Sequence, residues 1–315
     1  MSNILEFNEQ NLTIAATTIK KGGLVAFPTE TVYGLGADSY NAKAVAQIFA
    51  AKGRPTFNPL ISHIAEIDML KELAVPDARA YALAKEFWPG PLTFILPRRT
   101  SNSALDLVCA GLPNISVRMP NHPIALALIK QSGTPIAAPS ANRSQTISPT
   151  TAQHVADSLG DNVDVILDGG ACKVGVESTI IDLTTKDVVI LRAGGLSKEN
   201  LEEFLGEKVL LSHGNPELPT SPGQMLKHYA PKLSTRINVA PTDRQSDEFY
   251  IGFGDMDCDL NLSPTGDTTE AAANLFAYMH LAETQTTYPK IAIAPIPNNG
   301  LGLAINDRIR RASYK

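Results

Sequence analysis

Short apolar runs alternate with amphipathic stretches along the first 205 residues of the chain. The apolar runs predict buried strands at residues 24–27, 59–61, 92–96, 136–138, 163–167, 178–183 and 188–191. Between them, apolar residues recur three or four positions apart, which predicts helices over 42–52, 77–88, 123–132, 149–159 and 197–205. Because several late strands follow one another directly, we predict a mixed α/β domain with a twisted open sheet and flanking helices.

The pattern changes near Gly206. Residues 207–234 are rich in proline and glycine, which indicates a linker. Beyond it, predicted strands at 249–253 and 290–294 alternate with predicted helices at 268–283 and 303–311. We therefore expect a large domain over residues 1–206, a linker over 207–234 and a small C-terminal α/β domain over 235–315.

Composition and charge exclude several classes of protein. The 315 residues include 43% apolar side chains, and 27 Lys+Arg against 32 Asp+Glu give a formal net charge of -5, as in an ordinary globular protein. The longest apolar runs are too short to span a bilayer, and no signal peptide is visible. Three widely separated cysteines favour a reducing compartment, so we expect a cytoplasmic protein. The acidic balance argues against a basic nucleic-acid module but permits a local basic cavity.

Common catalytic motifs are missing from the sequence. It contains no Walker-type phosphate loop, and no C-x-x-C or H-E-x-x-H motif that would predict a dedicated metal site. Gly34 and Gly36 lack the third glycine of a dinucleotide fingerprint. No G-x-S-x-G elbow surrounds a serine, so covalent serine chemistry has no support.

Two polar segments near predicted element ends are candidates for ligand binding. Residues 28–36 combine hydroxyls, a carboxylate and glycines that permit close approach of a ligand, although a tight strand-to-helix turn would have the same composition. In residues 52–60, Lys52 and Arg54 flank Gly53 at a predicted helix end. One interpretation is a fork of positive charge that binds phosphate or carboxylate. The other is a simple helix terminus. His63, just beyond, is catalytic or structural.

Two further segments raise the same choice. Arg118 lies in an apolar alternation, where it faces a ligand cavity or points outward from an edge strand. Residues 138–149 are rich in small and hydroxyl side chains before a predicted helix, which suits an anion site or a helix cap at Ser148. Together, the segments indicate a cavity that binds a polyanion through Lys and Arg and a small polar co-substrate through hydroxyls.

Taken as a set, these segments resemble the threonylcarbamoyl-AMP synthase family, the YrdC-like enzymes, in its long two-domain form. The resemblance extends in order from about residue 10 to residue 232 and rests on FPTETVYGLG, AAKGRPTFNPL, ISVRMPNHP, APSANRSQTISPT, GVESTIIDL, LRAGG and the linker SPGQMLKHYAP. It implies a YrdC-like twisted open mixed sheet with flanking helices, plus a smaller Rossmann-like α/β domain.

The activity implied by this resemblance is an adenylyl transfer by a nucleotidyltransferase. ATP, L-threonine and bicarbonate give threonylcarbamoyl-AMP, pyrophosphate and water, for threonylcarbamoyladenosine modification of tRNA. Mg²⁺ is expected with ATP, held mainly by its phosphates. The product would pass to a separate tRNA-modifying transferase complex; direct tRNA binding is left open.

The resemblance also assigns residues. Around L-threonine it places Thr31, His63, Arg118, Ala138 and Ser178. Around ATP it places Lys52, Arg54, Asn58, Asn114, Ser140, Asn142, Ser148, Arg192 and Tyr229, with Lys52 and Arg54 as the catalytic charge stabilisers. Tyr229 belongs to the linker, which is expected to act as a lid anchored by the C-terminal domain. Gln145 stands where the family more often has glycine, and residues 224–226 depart from its usual linker sequence.

Two alternatives stay open at this point. A double-stranded RNA-binding or ribosome-binding module on a YrdC-like fold would show steep salt dependence and no effect of threonine. A related carbamoyl-transfer enzyme would carry zinc-finger and acylphosphatase-like modules, for which this chain has neither the cysteines nor the length.

Overall fold

The computed structural model describes residues 3–99, 103–212, 228–285 and 287–314. Within these ranges the strands are β1 (Ile4–Glu6), β2 (Val25–Phe27), β3 (Gly34–Asp38), β4 (Ile61–His63), β5 (Leu92–Pro97), β6 (Asn114–Arg118), β7 (Ile136–Ala137), β8 (Val165–Asp168), β9 (Thr179–Asp182), β10 (Val189–Arg192), β11 (Leu210–Leu211), β12 (Ser234–Arg236), β13 (Glu248–Gly252), β14 (Leu260–Asn261) and β15 (Lys290–Ile293). The α-helices are α1 (Glu9–Lys20), α2 (Ala42–Lys52), α3 (Ile67–Leu73), α4 (Ala78–Phe87), α5 (Pro123–Ser132), α6 (Ala152–Leu159), α7 (Lys198–Leu205), α8 (Thr268–Gln285) and α9 (Gly302–Ala312).

Strands of the first part of the chain form one mixed sheet. Their order is β1-β8-β2-β3-β7-β4-β6-β5-β9-β10-β11. The pairs β2/β8, β4/β6 and β5/β9 are parallel, whereas β2/β3, β5/β6 and β9/β10 are antiparallel. The predicted mixed α/β sheet is therefore confirmed.

A second, smaller sheet follows in the order β12-β15-β13-β14, with every described pair parallel. This arrangement confirms the predicted C-terminal α/β domain. The strand β11 still belongs to the large sheet, although it lies beyond the predicted domain border at residue 206. Most of the predicted linker, including residues 224–226, lies outside the described residues.

Local chemistry explains why several helix boundaries match their predictions. Helix α2 begins after Asn41, whose side chain accepts hydrogen bonds from the next turn, and it ends at Gly53 with φ +60°. Helix α5 starts at Pro123 and ends before Gly133, which has φ +69°. In both helices the chain leaves through a left-handed residue that glycine adopts without steric cost.

The strands decide between the alternatives that the sequence left open at residues 28–36 and at Arg118. Residues 34–38 form strand β3 rather than a turn into a helix. A Cβ on Gly36 would lie 2.7 Å from both Phe27 and Ile136, so this glycine makes room for protein side chains and not for a ligand. Arg118 ends β6, which lies between β4 and β5, so it is not on an edge strand.

Ser148 does not cap a helix. Helix α6 begins later than predicted, and its cap is Thr151, whose side chain accepts from His154 N. Ser148 Oγ instead donates to Glu177 Oε1 at 2.6 Å. The sequence pattern also left strand β1 and helices α1 and α3 unassigned.

The two domains share a hydrophobic core. Most large-domain side chains pack in their own cluster, but Val32, Ile147 and Val176 belong to the cluster that α8, α9 and their sheet build. The C-terminal domain thus closes over three loops of the large domain. None of the described helices is long and apolar enough to cross a membrane.

Candidate active site

A cavity opens among strand ends and loops of the large sheet. Residues predicted to bind ligands make up much of its wall, and residues of the linker's end complete it. The wall is formed by Thr29, Thr31, Val32, Gly34, Arg54, Ile61, His63, Arg118, Ala138, Pro139, Ser140, Glu177, Ser178, Arg192, His228 and Tyr229.

Lys52 and Arg54 come from the end of α2 and are both buried. Lys52 Nζ donates to the carbonyl of Ser140 at 2.6 Å and to that of Asn142, so it holds the loop after β7 from behind the cavity wall. Arg54 lines the cavity itself and donates to the carbonyls of Asn58 and Pro59. Burial and the charge of Arg54 hold the pKa of Lys52 well below its ordinary value.

The loop after β7 carries three of the predicted nucleotide residues, Ser140, Asn142 and Ser148. Ser140 lines the cavity, and Asn142 Nδ2 donates to the carbonyl of Thr146 at 2.9 Å, which folds the loop back on itself. Gln145 has φ +73°, a conformation that favours glycine, and its carbonyl accepts from Ala230 N at 2.8 Å. The family's usual glycine at this position therefore matches a left-handed backbone, which this chain forms with glutamine.

Arg118 also lines the cavity, and it contacts Thr31 and Glu30. Its Nη1 donates to Thr31 Oγ1 at 2.9 Å, and its Nη2 lies 2.7 Å from Glu30 Oε2. His63 also lines the cavity, and its Nδ1 is buried without a hydrogen-bond partner among the described residues. Burial and the neighbouring Arg118 charge lower the pKa of His63 to about 3, so the ring is neutral at neutral pH.

Arg192 connects the end of β10 to the start of β9. Its Nη2 donates to the carbonyl and to Oγ of Ser178, at 2.9 and 3.1 Å. Ser178 Oγ also bonds with Thr93 Oγ1 at 2.7 Å. Gly194 lets the segment after β10 pass close to the backbone of Glu177 and Ser178, because a Cβ there would lie 2.3 Å from the carbonyl oxygen of Glu177. Burial lowers the pKa of Arg192 to about 10, and nearby arginines add to this effect.

Tyr229 enters the cavity wall from the end of the linker. Its ring stacks on Phe276 of α8 at 5.4 Å and lies 5.3 Å from the guanidinium carbon of Arg308. The adjacent His228 also lines the cavity. Tyr229 is therefore held in place by the C-terminal domain.

Other predicted residues lie outside the cavity wall. Asn58 is buried beside Arg54, as the carbonyl contact shows. Ser148 lies behind Glu177. Asn114 begins β6, opposite Pro97 and at the other end of that strand from Arg118. The structure thus brings most of the predicted residues together but leaves Asn114 apart.

Sequence reasoning missed three charged residues of this region. Glu30 lies in the motif FPTETVYGLG and Glu177 in GVESTIIDL. A carboxylate in such a buried segment is costly unless it is paired. Arg308 comes from α9, where it occupies the face that Ile305 and Ile309 bury. The sequence signal that could have revealed Arg308 is a charged residue on a helix face whose other residues are apolar.

The charges around the cavity are unbalanced. Five buried cations, namely Lys52, Arg54, Arg118, Arg192 and Arg308, occur with two buried carboxylates, Glu30 and Glu177. Each carboxylate is in an ion pair with an arginine, Arg118 and Arg308 respectively. In formal charge the site is positive by three, or by two when the adjacent Asp307, which pairs with Arg308, is included, within a chain of net charge -5. Such an arrangement suits a ligand with several negative charges.

No group of three or more His, Cys, Asp or Glu side chains in the described part of the chain could hold a metal ion. The two carboxylates near the cavity are already engaged by arginines. A cation that accompanies an anionic ligand would therefore depend on that ligand for most of its coordination.

Comparisons with known proteins give matches over both domains. A family model named for Sua5, YciO and YrdC and described as "Telomere recombination" matches residues 17–194. A second, described as "Threonylcarbamoyl-AMP synthase, C-terminal domain", matches residues 196–313.

Curated relatives match over nearly the whole chain. A threonylcarbamoyl-AMP synthase of Pyrococcus abyssi is 43% identical over 97% of this chain and 94% of its own length. The Bacillus subtilis enzyme of the same name is 40% identical over 98% and 94%. The crystal structure of P. abyssi Sua5 complexed with L-threonine superposes with a TM-score of 0.90 at 39% identity, and covers 98% of this chain and 97% of that one.

Proposed function

The chain belongs to the threonylcarbamoyl-AMP synthase family, and we therefore propose that it converts ATP, L-threonine and bicarbonate to threonylcarbamoyl-AMP, pyrophosphate and water. L-threonine as a substrate is supported by the solved P. abyssi relative, which is complexed with that amino acid. The product is proposed to serve threonylcarbamoyladenosine modification of tRNA through a separate transferase complex.

The proposed reaction has two steps. The amine of L-threonine and bicarbonate form a carbamate with loss of water. A carbamate oxygen then attacks the α-phosphorus of ATP, the bond from that phosphorus to the bridging oxygen breaks, and pyrophosphate leaves. No enzyme nucleophile is needed, because the carbamate is itself the nucleophile. Catalysis then depends on alignment, on neutralising the phosphate charge and on excluding water from the mixed anhydride.

The observation that carries the proposal is the excess of buried positive charge at the cavity. Lys52, Arg54 and Arg192 are buried, and burial depresses the pKa of all three. Cations whose charged forms are destabilised in this way gain the most from a bound polyphosphate. We assign Arg54 and Arg192 to direct phosphate contact and Lys52 to support of the Ser140–Asn142 loop and of the local potential.

The threonine end is proposed to be the Arg118 side. The arginine would bind the amino-acid carboxylate, while Thr31 and Glu30 fix the orientation of its guanidinium. Neutral His63 and the backbone at Ala138 would contact the rest of the small substrate. Mg²⁺ is expected to enter as part of the MgATP substrate. A cytoplasmic location is supported by the three cysteines, which are free thiols.

Pyrophosphate release tests this proposal directly. With MgATP, release should require both L-threonine and bicarbonate. Lys52→Ala should lower kcat/KM about 100-fold or more, because a positive charge behind the phosphate site is lost. Lys43→Ala is the matched control, since Lys43 is exposed near the start of the same helix α2. It should behave like the wild type.

Release that is indifferent to threonine, or no release at all, would contradict the proposed activity. Double-stranded RNA binding would then be measured against salt concentration. Affinity that falls steeply with salt and ignores threonine would favour the RNA-binding alternative.

A further inference from the structure

The C-terminal domain contacts the large domain where the nucleotide site is proposed. The three buried large-domain residues in the shared core adjoin cavity or site residues in sequence: Val32 follows Thr31, Ile147 precedes Ser148 and Val176 precedes Glu177. His280 of α8 donates from Nε2 to the carbonyl of Ser148 at 3.2 Å. The second domain therefore packs directly behind the wall of the cavity.

Arg308 makes a charged contact across the same boundary. It is fully buried on α9, and its Nε donates to Glu177 Oε2 at 2.9 Å. The other carboxylate oxygen, Oε1, accepts from Ser148 Oγ at 2.6 Å. Arg308 Nη1 also donates to Asp307 Oδ2 at 3.0 Å, which fixes the guanidinium from its own helix. Both oxygens of Glu177 are thus held in one orientation.

Glu177 without this restraint would oppose nucleotide binding. It lines the cavity, and its charge acts on Arg192, which is assigned to phosphate contact, and on Lys52, which supports the site from behind. A carboxylate free to rotate toward these cations would neutralise them and would repel a polyphosphate in the same space. A carboxylate held by Arg308 and Ser148 has its charge compensated by a group outside the cavity wall.

We propose that Arg308 is a positioning residue of the nucleotide site, contributed by the C-terminal domain, which holds Glu177 so that the cavity cations stay available to ATP. This inference rests on the proposed function. It gives the second domain a direct part in ATP binding that is independent of the linker. The large domain alone would keep Lys52, Arg54 and Arg192 but would leave Glu177 without its main partner.

The experiment measures KM for ATP and for L-threonine, and kcat, by pyrophosphate release from the full-length enzyme. Arg308→Met should raise KM for ATP about 10- to 100-fold with KM for threonine changed by less than about threefold. Arg308→Lys should lie between this variant and the wild type, because an ammonium keeps the charge but loses the planar fork. Arg310→Met is the matched control on α9, since Arg310 is exposed and pairs only with Asp307 among the described residues.

The double variant Glu177→Gln/Arg308→Met separates positioning from structural support. With the competing carboxylate removed, KM for ATP should return to within about threefold of the wild type. A double variant as impaired as Arg308→Met, or an equal rise in both KM values, would overturn the inference. If Arg308→Met does not fold, as its thermal unfolding would reveal, Arg308→Lys and the double variant carry the same comparison.

Failure of the proposed function would be visible separately. In that case the wild-type enzyme would show no threonine-dependent release. Calorimetric titration of MgATP into the wild type and Arg308→Met gives a binding readout that does not require turnover. If the wild type turns over but binds MgATP with the same affinity as Arg308→Met, the role of Arg308 is refuted and the proposed function stands.

Discussion

Arg308 Nε lies 2.9 Å from Glu177 Oε2, although 131 positions separate the two residues and they belong to different domains. Burial opposes ionisation of Glu177, but the charges of Arg308 and Arg192 outweigh it and lower the pKa of this carboxyl to about 2. The pair therefore stays ionised at neutral pH. It links the C-terminal domain to the cavity wall by a charge rather than by apolar packing alone.

Gly175 should be essential for docking of the C-terminal domain. It has φ +74°, and a Cβ there would lie 2.3 Å from the carbonyl oxygen of Ala272 and 2.5 Å from Ala273 Cα, both on α8. Gly175→Ala should therefore push α8 away and lower the free energy of unfolding by about 3 kcal/mol, measured by urea unfolding.

Gly170→Ala provides the matched control for this prediction. Gly170 has φ +78°, but a Cβ would meet nothing within 4 Å. The free energy of unfolding of Gly170→Ala should fall by only about 1 kcal/mol, the cost of an alanine in the left-handed conformation. Equal losses in the two variants would show that the contact with α8 is not the cause.

Thr31 should affect the use of threonine but not of ATP. Its Oγ1 accepts from Arg118 Nη1 and bonds with Thr29 Oγ1, which aims the guanidinium into the cavity. Thr31→Val keeps the shape and should raise KM for threonine about tenfold with little change in KM for ATP. Thr134→Val is the control, because it also removes a threonine hydroxyl bond, here the one that Thr134 donates to Asp38. The Thr134 side chain does not line the cavity. Equal effects of the two variants would contradict this role.

Buried histidines should make the enzyme lose stability in mild acid. Burial lowers the pKa of His63 and His228 to about 3 and that of His280 to about 4, from an ordinary value of 6.5. Their neutral forms are favoured in the folded state, so this contribution is complete above pH 6.5. It is lost as the pH falls toward 4, because only the unfolded chain binds these protons readily.

Each of these histidines should contribute a slope of up to about 1.4 kcal/mol per pH unit. Urea unfolding between about pH 6.5 and 5 measures the total, in a range where most carboxylates are still ionised in both states. His63→Asn should reduce the slope by one such increment. A wild-type stability that stays constant across this range would refute the prediction.

Ser148 and Thr151 should separate two roles that the sequence could not distinguish. Thr151→Ala removes the cap of α6 and should cost about 1 kcal/mol of stability with no change in KM for ATP. Ser148→Ala removes the bond to Glu177 Oε1 and should raise KM for ATP about 3- to 10-fold. Thermal unfolding and pyrophosphate release measure the two effects. The assignment fails if both substitutions act on stability alone.

The fold class and the family were accessible from the sequence because they depend on local patterns. Apolar spacing and capping residues predicted α2 and α5 to the residue, since a helix end is determined by a few neighbouring groups. The motif set predicted the family, which is confirmed. The residue roles taken from the resemblance stay predictions, although the structure brings most of those residues around one cavity.

Tertiary structure decided what each buried charge meets. The sequence identified Lys52 and Arg118 as charged groups in unusual positions, but not that Lys52 holds a loop from behind or that Arg118 pairs with Glu30. Arg308 shows the limit most clearly, because its partner lies in another domain. Periodicity determines which face of a helix is buried. The partner of a buried charge depends on how the whole chain packs, and that packing is decided by long-range contacts that a linear pattern does not encode.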